Sequence, residues 1–155
     1  TEAVLLNYQI GDNIVLPSLR RLRKGPVILR RDENKLAEHW ADELSIKCRS
    51  TRQRVRELSG GNKQKVVLAK WMANDSQILI MDCPTRGIDI GVKEAIYKIM
   101  MRFKEEGRSM IMISEELPEL IGMSDRILIM KNGRLSAEIT RGVDVTEHDV
   151  IQYMV

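Results

Sequence analysis

The stretch Leu58-Ser59-Gly60-Gly61-Asn62-Lys63-Gln64-Lys65, followed later by Ile78-Leu79-Ile80-Met81-Asp82-Cys83-Pro84-Thr85, narrows what this chain can fold into more than any other feature. The first reads as a helix start built to hold an anion. Ser59 is a good N-cap, because its hydroxyl can accept from a free backbone N–H two or three positions on. Gly60 and Gly61 let the backbone approach a ligand closely. The helix that follows, over residues 62–72, begins with unpaired N–H groups and the positive end of its dipole. That arrangement binds phosphate. A capped helix after a plain glycine turn gives the same short pattern, so the motif alone leaves both readings open.

The second stretch is an apolar run bounded by polar residues. It reads as a strand buried on both faces, as in a parallel sheet. Asp82 sits where that strand ends, and ligands in open α/β sheets bind at the carboxyl ends of strands. An Asp there can hold Mg²⁺, usually through water. The alternative is an Asp that caps the turn Pro84-Thr85-Arg86-Gly87. A phosphate grip followed by a carboxylate on a strand end is what a nucleoside-triphosphate enzyme needs.

Length and composition set the frame around these motifs. A chain of 155 residues can form one domain, and its 43% hydrophobic and 30% charged residues are those of a water-soluble globular protein. The net charge of +3 is mild. Basic residues cluster only in Arg20-Arg21-Leu22-Arg23-Lys24 and Arg49-Ser50-Thr51-Arg52-Gln53-Arg54, which read as solvated faces before they read as nucleic-acid or lipid sites. Cys48 and Cys83 stand far apart and form no disulfide framework, which points to a reducing compartment. No apolar run reaches membrane-spanning length, and no signal peptide is visible.

Taken in order, residues 1–9 read as a frayed strand or loop. Residues 13–22 read as a short helix with Pro17 in its first turn, broken by Gly25-Pro26. Asp32 reads as the cap of a helix over 33–46, with Leu36, Trp40 and Leu44 on its buried face. Residues 48–57 are polar, basic and irregular. After the two motifs, Val92, Ile96, Ile99 and Phe103 mark a helix over 91–105, and 109–113 is a second short strand. A short helix over 116–122 carries Pro118 in its first turn. Strands over 126–130 and 134–139 flank Asn132-Gly133, a dipeptide that favours the tight type I′ hairpin turn. Thr146 and Asp149 read as a capping pair for a last helix over 147–154. No internal repeat or low-complexity segment is present.

Together the two motifs resemble those of the ABC-transporter ATPases. Leu58 to Asn62 is similar to their signature, with Asn62 where many members have Gln. Ile78 to Asp82 is similar to their Walker B strand, Gly87-Ile88-Asp89 to the D-loop, and Ile113-Ser114-Glu115 to the switch region. Gln64-Lys65-Val66-Val67-Leu68-Ala69-Lys70-Trp71 and Pro84-Thr85-Arg86-Gly87-Ile88-Asp89-Ile90-Gly91 resemble the second ATPase domain of tandem-domain subunits of monosaccharide importers for ribose, galactose, arabinose and related sugars. The resemblance runs from about residue 13 to 155.

The resemblance implies an α/β fold. It implies a partial P-loop NTPase domain whose mostly parallel sheet carries flanking helices and a helical subdomain. Residues 13–75 would form the helical subdomain and signature helix, and 76–155 the Walker B half of the core. No G-x-x-x-x-G-K-[ST] occurs and no Gly precedes a Lys, so the main triphosphate cradle is not in this sequence. In the family that loop lies upstream. The expectation is therefore the C-terminal portion of an ATPase domain, inactive in isolation, with one sheet face or edge unprotected; a first residue that is Thr agrees with that.

The implied cofactors are ATP and Mg²⁺. Ser59, Gly60, Gly61 and Asn62 would meet ATP held by the partner domain, Asp89 would serve in the D-loop, and Asp82 would reach Mg²⁺ through water. The implied partners are the other ATPase domain of the same subunit, the membrane permease subunits and, indirectly, a sugar-binding protein. No nucleic acid is expected, and the place is the cytoplasmic face of the cell membrane, peripherally bound.

Two positions depart from the family. Cys83 stands where the Glu that polarises the attacking water is usual. A thiol is mostly neutral at neutral pH, and a nearby triphosphate and Asp82 would keep it so. It reads as a small apolar residue at a strand end rather than as a redox group. Glu115 stands where the switch His is usual, and an ionised Glu repels a γ-phosphate. Both losses imply that this domain's own site hydrolyses slowly or not at all. Three functions follow: the energy-coupling ATPase of a sugar importer, a non-hydrolysing nucleotide-sensing regulatory half, or a non-transport ABC protein acting on DNA or ribosomes. The short spacing from signature to Walker B leaves no room for a coiled-coil insertion, which disfavours the third.

Overall fold

Pro17 decides how the chain begins. Helix α1 spans Ile10–Val15, a single 3-10 turn over Leu16–Ser18 carries Pro17, and α2 spans Leu19–Leu22. The expected single helix over 13–22 thus starts earlier and is interrupted. Proline has no N–H to give to the carbonyl four residues back, so the backbone tightens for one turn before resuming. This computed structural model describes residues 3–141 and 145–154, so the reading of residues 1 and 2 lies outside it. By internal contacts it forms two units, Thr1–Leu79 with Thr85–Ser109, and Ile80–Pro84 with Met110–Val155.

In the first unit, Gly25 at φ 65° turns β1 (Arg23–Lys24) onto β2 (Val27–Ile28), an antiparallel pair in which Arg23 faces Ile28. The sequence shows only a break there. Helix α3 spans Arg30–Glu43, and Leu29 precedes it without a side-chain cap. Asp32 is therefore not the cap. It lies in the first turn and accepts from Lys24 Nζ at 2.7 Å, and that bond holds its carboxyl below the usual range. The buried face is Ala37, Ala41 and Leu44, while Leu36 and Trp40 are half-buried. The reason is close approach: a Cβ built on Gly11 of α1 would stand 3.4 Å from that of Ala37. Two helices that near each other need small residues between them, so the alanines face in and the large side chains flank the seam.

Helix α4 (Gly60–Met72) buries Val66, Leu68, Ala69 and Met72, the spacing of one helical stripe. Strand β3 (Ile78–Asp82) follows, then α5 (Ile90–Glu105), which buries Ile96, Ile99, Met100 and Phe103. Val92, expected on that face, is half-buried at the helix start. Strand β4 (Ser109–Ile113) pairs with β3. Ser109 N donates to Gln77 O at 3.0 Å and Cys83 N to Ile113 O at 2.9 Å, so the two strands run parallel.

The second unit continues with α6 (Leu117–Met123), strands β5 (Arg126–Lys131) and β6 (Arg134–Thr140), and α7 (Glu147–Ile151). Strands β5 and β6 are antiparallel, with a register shift between Ile129 and Met130. Asn132 (φ 50°) and Gly133 (φ 74°) both take positive φ, as a type I′ turn requires. Ile127, Ile129 and Val150 form the core, with Leu117, Ile121, Ala137, Ile139 and Val145 packed on it. Thr146 and Asp149 form a capping box, each side chain meeting the other's backbone N–H. The helix they start is shorter than the sequence implies.

The fold is α/β, but the sheet is not one layer. The described residues form three two-stranded sheets, and only β3–β4 is parallel. Nor is β3 buried on both faces. Leu79 and Met81 are buried, while Ile78 is 63% and Ile80 66% exposed. Ile111 and Ile113 of β4 are exposed as well. An open apolar face of this kind favours association. The chain is expected to self-associate with rising concentration in light scattering. Ile80→Lys together with Ile113→Lys is expected to return it to monomer, and a monomer at all concentrations would contradict the reading.

Candidate functional site

The sequence-derived site residues fall into the two units. Ser59, Gly60, Gly61, Asn62 and Asp89 lie in the first; Asp82, Cys83 and Glu115 lie in the second.

In the first unit, Ser59 is the N-cap of α4 in extended conformation, φ −64° and ψ 161°. It makes no side-chain bond to the helix N–H groups, contrary to the capping expected of it. Its Oγ instead accepts from Asn62 Nδ2 at 2.9 Å. The first helical bond runs from Lys63 N to Ser59 O at 2.9 Å. The N–H groups of Gly60, Gly61 and Asn62 precede it and have no carbonyl of their own helix to meet. Ser59 and Gly60 are exposed, and a Cβ on Gly60 would meet nothing within 4 Å. A Cβ on Gly61 would lie 2.9 Å from Val92 Cγ2 and 3.0 Å from Cγ1. The two glycines therefore serve different ends. Gly60 leaves the approach to the helix start open, and Gly61 lets α4 close on the start of α5.

Asp89 is the N-cap of that second helix and is exposed; its carbonyl receives Val92 N and Lys93 N at 3.0 and 2.9 Å. The closeness of Gly61 and Val92 thus brings residues 59–62 and Asp89 to neighbouring helix starts.

Two further residues belong to this site. Asn62 Oδ1 accepts from Lys47 N at 2.8 Å. Lys65 is buried, and its Nζ donates to Ser45 O at 3.1 Å. Burial, and then the nearby charge of Lys47, push the Lys65 ammonium below its ordinary range. The signal in the sequence was weak: a lysine among the buried residues of an otherwise apolar helix stripe.

In the second unit, Asp82 ends β3 and is exposed. Cys83 follows in the left-handed region at φ 44°, and its N–H holds Ile113 O. That bond places the end of β3 beside the end of β4, so Cys83 and the loop Ser114-Glu115 are neighbours. Ser114 Oγ donates to Glu119 Oε2 at 2.5 Å and accepts from Glu116 N at 3.1 Å. Glu119 is buried, and its carboxylate anchors the loop that presents the exposed Glu115. Nothing in the sequence singled Glu119 out, since it lies in a helix read only as a connector. Among the described residues no group of three or more His, Cys, Asp or Glu could hold a metal ion. Asp82 offers one carboxylate, which suits an ion bound chiefly by other oxygens and water.

A family model described as ABC transporter matches residues 3–86, more than half of the chain. A ribose import ATP-binding protein of Roseobacter denitrificans is 42% identical over 152 residues, 98% of this chain and 30% of that protein. A xylose import ATP-binding protein of Thermoanaerobacter pseudethanolicus is 46% identical over 144 residues, 93% of this chain and 28% of that protein. The chain thus spans about 30% of the length of the curated relatives it matches. A dimeric ATP-binding cassette in a post-hydrolysis state, bound to ADP and Pi, superposes with a TM-score of 0.77 at 23% identity. The match covers 90% of this chain and 60% of that one, and it shows the fold.

The two glycines are expected to respond oppositely to alanine. Gly61→Ala forces a methyl group onto the stiff, β-branched Val92 and should destabilise the chain by about 1–3 kcal/mol. Val92→Ala in the same chain should restore most of that loss. Gly60→Ala, with open space, should be neutral or stabilising by up to ~1 kcal/mol. Urea unfolding of the three variants against wild type checks this, and equal effects at 60 and 61 would contradict the packing argument.

Proposed function

Because the chain belongs to the ABC transporter family, we propose that it is part of the ATP-binding subunit of a monosaccharide importer. In this reading its signature grips ATP held by the partner ATPase domain. The observation that carries it is the outward-facing start of α4. The Ser59 hydroxyl caps no backbone N–H of the helix it precedes, and the space over Gly60 is open. Free N–H groups at the positive end of a helix suit a phosphate. The printed names of the ribose and xylose import relatives support the sugar class.

The residues fit the proposed groups unequally. Bound ATP would supply the phosphoanhydride bond, and Mg²⁺ would neutralise its charge. The backbone of Gly60 and Gly61 and the Ser59 hydroxyl would orient the terminal phosphate. Asp82 would hold the ion through water, and Asp89 would sit at the neighbouring helix start. Cys83 has no carboxylate with which to align water. Glu115, if ionised near a γ-phosphate, would cost about 4 kcal/mol at 4 Å and intermediate dielectric. The proposal is a division of labour: an intact signature for the partner's site and a degenerate Walker B and switch for its own.

The other ATPase domain of the subunit, membrane permease subunits and, through them, a sugar-binding protein are the partners in this reading. The place is peripheral, at the cytoplasmic face of the membrane. Among the described residues no helix is long and apolar enough to cross a membrane. A second reading, a non-hydrolysing nucleotide-sensing half, is favoured locally by Cys83 and Glu115.

Full-length subunits in a transporter ATPase assay separate these readings. Ser59→Arg should lower turnover by about 10²-fold or more, the scale of losing a preorganised donor. Cys83→Ala should change it by less than about twofold, a margin under 0.5 kcal/mol. Equal losses from both would sink the division of labour. A rise in single-site turnover with Cys83→Glu supports a decayed catalytic site, and no rise supports the sensing half.

A further inference from the structure

We propose that Asn62 is a positioning residue rather than a nucleotide contact: it clamps Ser59 to the turn that ends α3. The inference rests on the signature reading above and adds to it how the signature is held.

The geometry of one amide side chain carries the argument. A backbone N–H can only donate, so the Lys47 N–H fixes the Asn62 amide with Oδ1 toward residue 47. Nδ2 then faces Ser59, and it donates to Oγ at 2.9 Å. Both ends of the amide are engaged within the protein. Ser59 Oγ is an acceptor in that bond, so its own proton is left to turn away from Asn62, toward solvent at the exposed helix start. A hydroxyl in that state donates to an anion. Asn62 thus sets the direction in which Ser59 donates.

The other end of the clamp is rigid. Ser45 N donates to Asp42 O at 2.8 Å and Ile46 N to Ala41 O at 2.9 Å. This pair of bonds is the Schellman pattern at a helix C-terminus, in which the residue after the cap is left-handed and usually glycine. Here it is Ser45, at φ 47°. Lys65, one turn beyond Asn62 on the same side of α4, donates to the carbonyl of that same Ser45 at 3.1 Å. Lys65 as a whole is 9% exposed, and the bond is partly shielded from water. Two successive turns of α4 therefore grip Ser45 and Lys47. A displacement of the α3 terminus moves Lys47 N, then Asn62, then Ser59.

A double-mutant cycle tests this in the full-length subunit assembled with its membrane partner subunits. ATP turnover is read for Asn62→Ala, Ser59→Ala and the pair, with hydrogen exchange at the Lys47 amide. Asn62→Ala should lower kcat by about tenfold with KM moved by less than about twofold. The double variant should be no slower than the slower single, because Asn62 acts only through Ser59. Exchange at Lys47 should rise about fivefold or more in Asn62→Ala, from loss of its acceptor. Losses that multiply in the double variant would overturn the proposal, since Asn62 would then touch the nucleotide itself. Unchanged exchange at Lys47 would overturn it as well. Wild-type turnover in Ser59→Ala, with faster Lys47 exchange in Asn62→Ala, keeps the clamp and removes the phosphate-gripping role it serves. Thermal melts of the single variants within about 2–4 °C of wild type exclude unfolding as the cause.

Discussion

The close approach of two helix starts, at Gly61 and Val92, is the constraint on which the first unit's candidate site depends. A β-carbon at position 61 would lie 2.9 Å from Val92, so only glycine permits the contact. The start of α4 therefore sits directly against the start of α5, the helix that Asp89 caps, while α1 and α3 pack along the rest of α4. The far end of α4 is fixed too. The carbonyl of Ala73, just past the helix, accepts from Ser18 Oγ at 2.9 Å and from Arg21 Nη2 at 2.7 Å. A cation at a helix C-terminus is also favoured by the dipole. The helix is pinned at both ends, and its uncapped N–H groups stay aimed in one direction.

The second unit shows a demanding backbone geometry at the end of β3. Cys83 occupies the left-handed region, which costs an L-residue about 1–2 kcal/mol. Such strain persists only where the surroundings fix it. Here the Cys83 N–H is tied to Ile113 O, and Thr85 is buried two residues on. The backbone after Asp82 is thus held in a demanding shape, with a thiol on it. Across the strand pair, Ser114 is held by Glu119 and by the Glu116 N–H, which gives the exposed Glu115 a defined base. Hydrogen bonds thus hold the backbone on both sides of the pair, at Cys83 on one strand end and at the loop of Glu115 on the other.

What the sequence made legible follows from how local each signal is. The β3 limits, the Asn132-Gly133 turn and the Thr146–Asp149 box depend on a few adjacent residues, and the structure has them where the pattern puts them. The misses involve contacts that residue type and periodicity do not reveal. Asp32 is a plausible cap by position, but Lys24 takes its carboxylate. Leu36 and Trp40 outrank Ala37 and Ala41 in hydrophobicity, yet the neighbouring helix at Gly11 selects for small size. The Ser59 hydroxyl is a cap by residue type, but Asn62 competes for it. The eight candidate residues stand out in the sequence as motifs; the buried side chains beside them, Lys65 and Glu119, do not, because each is defined by a contact that no periodicity encodes.

The same contrast governs stability. Ile78, Ile80, Ile111 and Ile113 each expose more than half of their surface. Covering one such side chain fully is worth about 1.5–3 kcal/mol, so what half-exposure forfeits over four of them is comparable to the low end of a domain's whole stability, about 5 kcal/mol. Strands that are apolar on both faces, Ile on one and Leu or Met on the other, read as doubly buried because that is the environment their composition fits. With one face open, the β3–β4 pair contributes less than its sequence is built to give. The clamp on Ser59 does not draw on that face. Lys47, Asn62, Ser59, Lys65 and Ser45 all lie in the first unit, and their bonds span short stretches of chain. The geometry of Ser59 and Asn62 is therefore set locally, by side-chain hydrogen bonds to a helix end, and it does not depend on whether the sheet is covered.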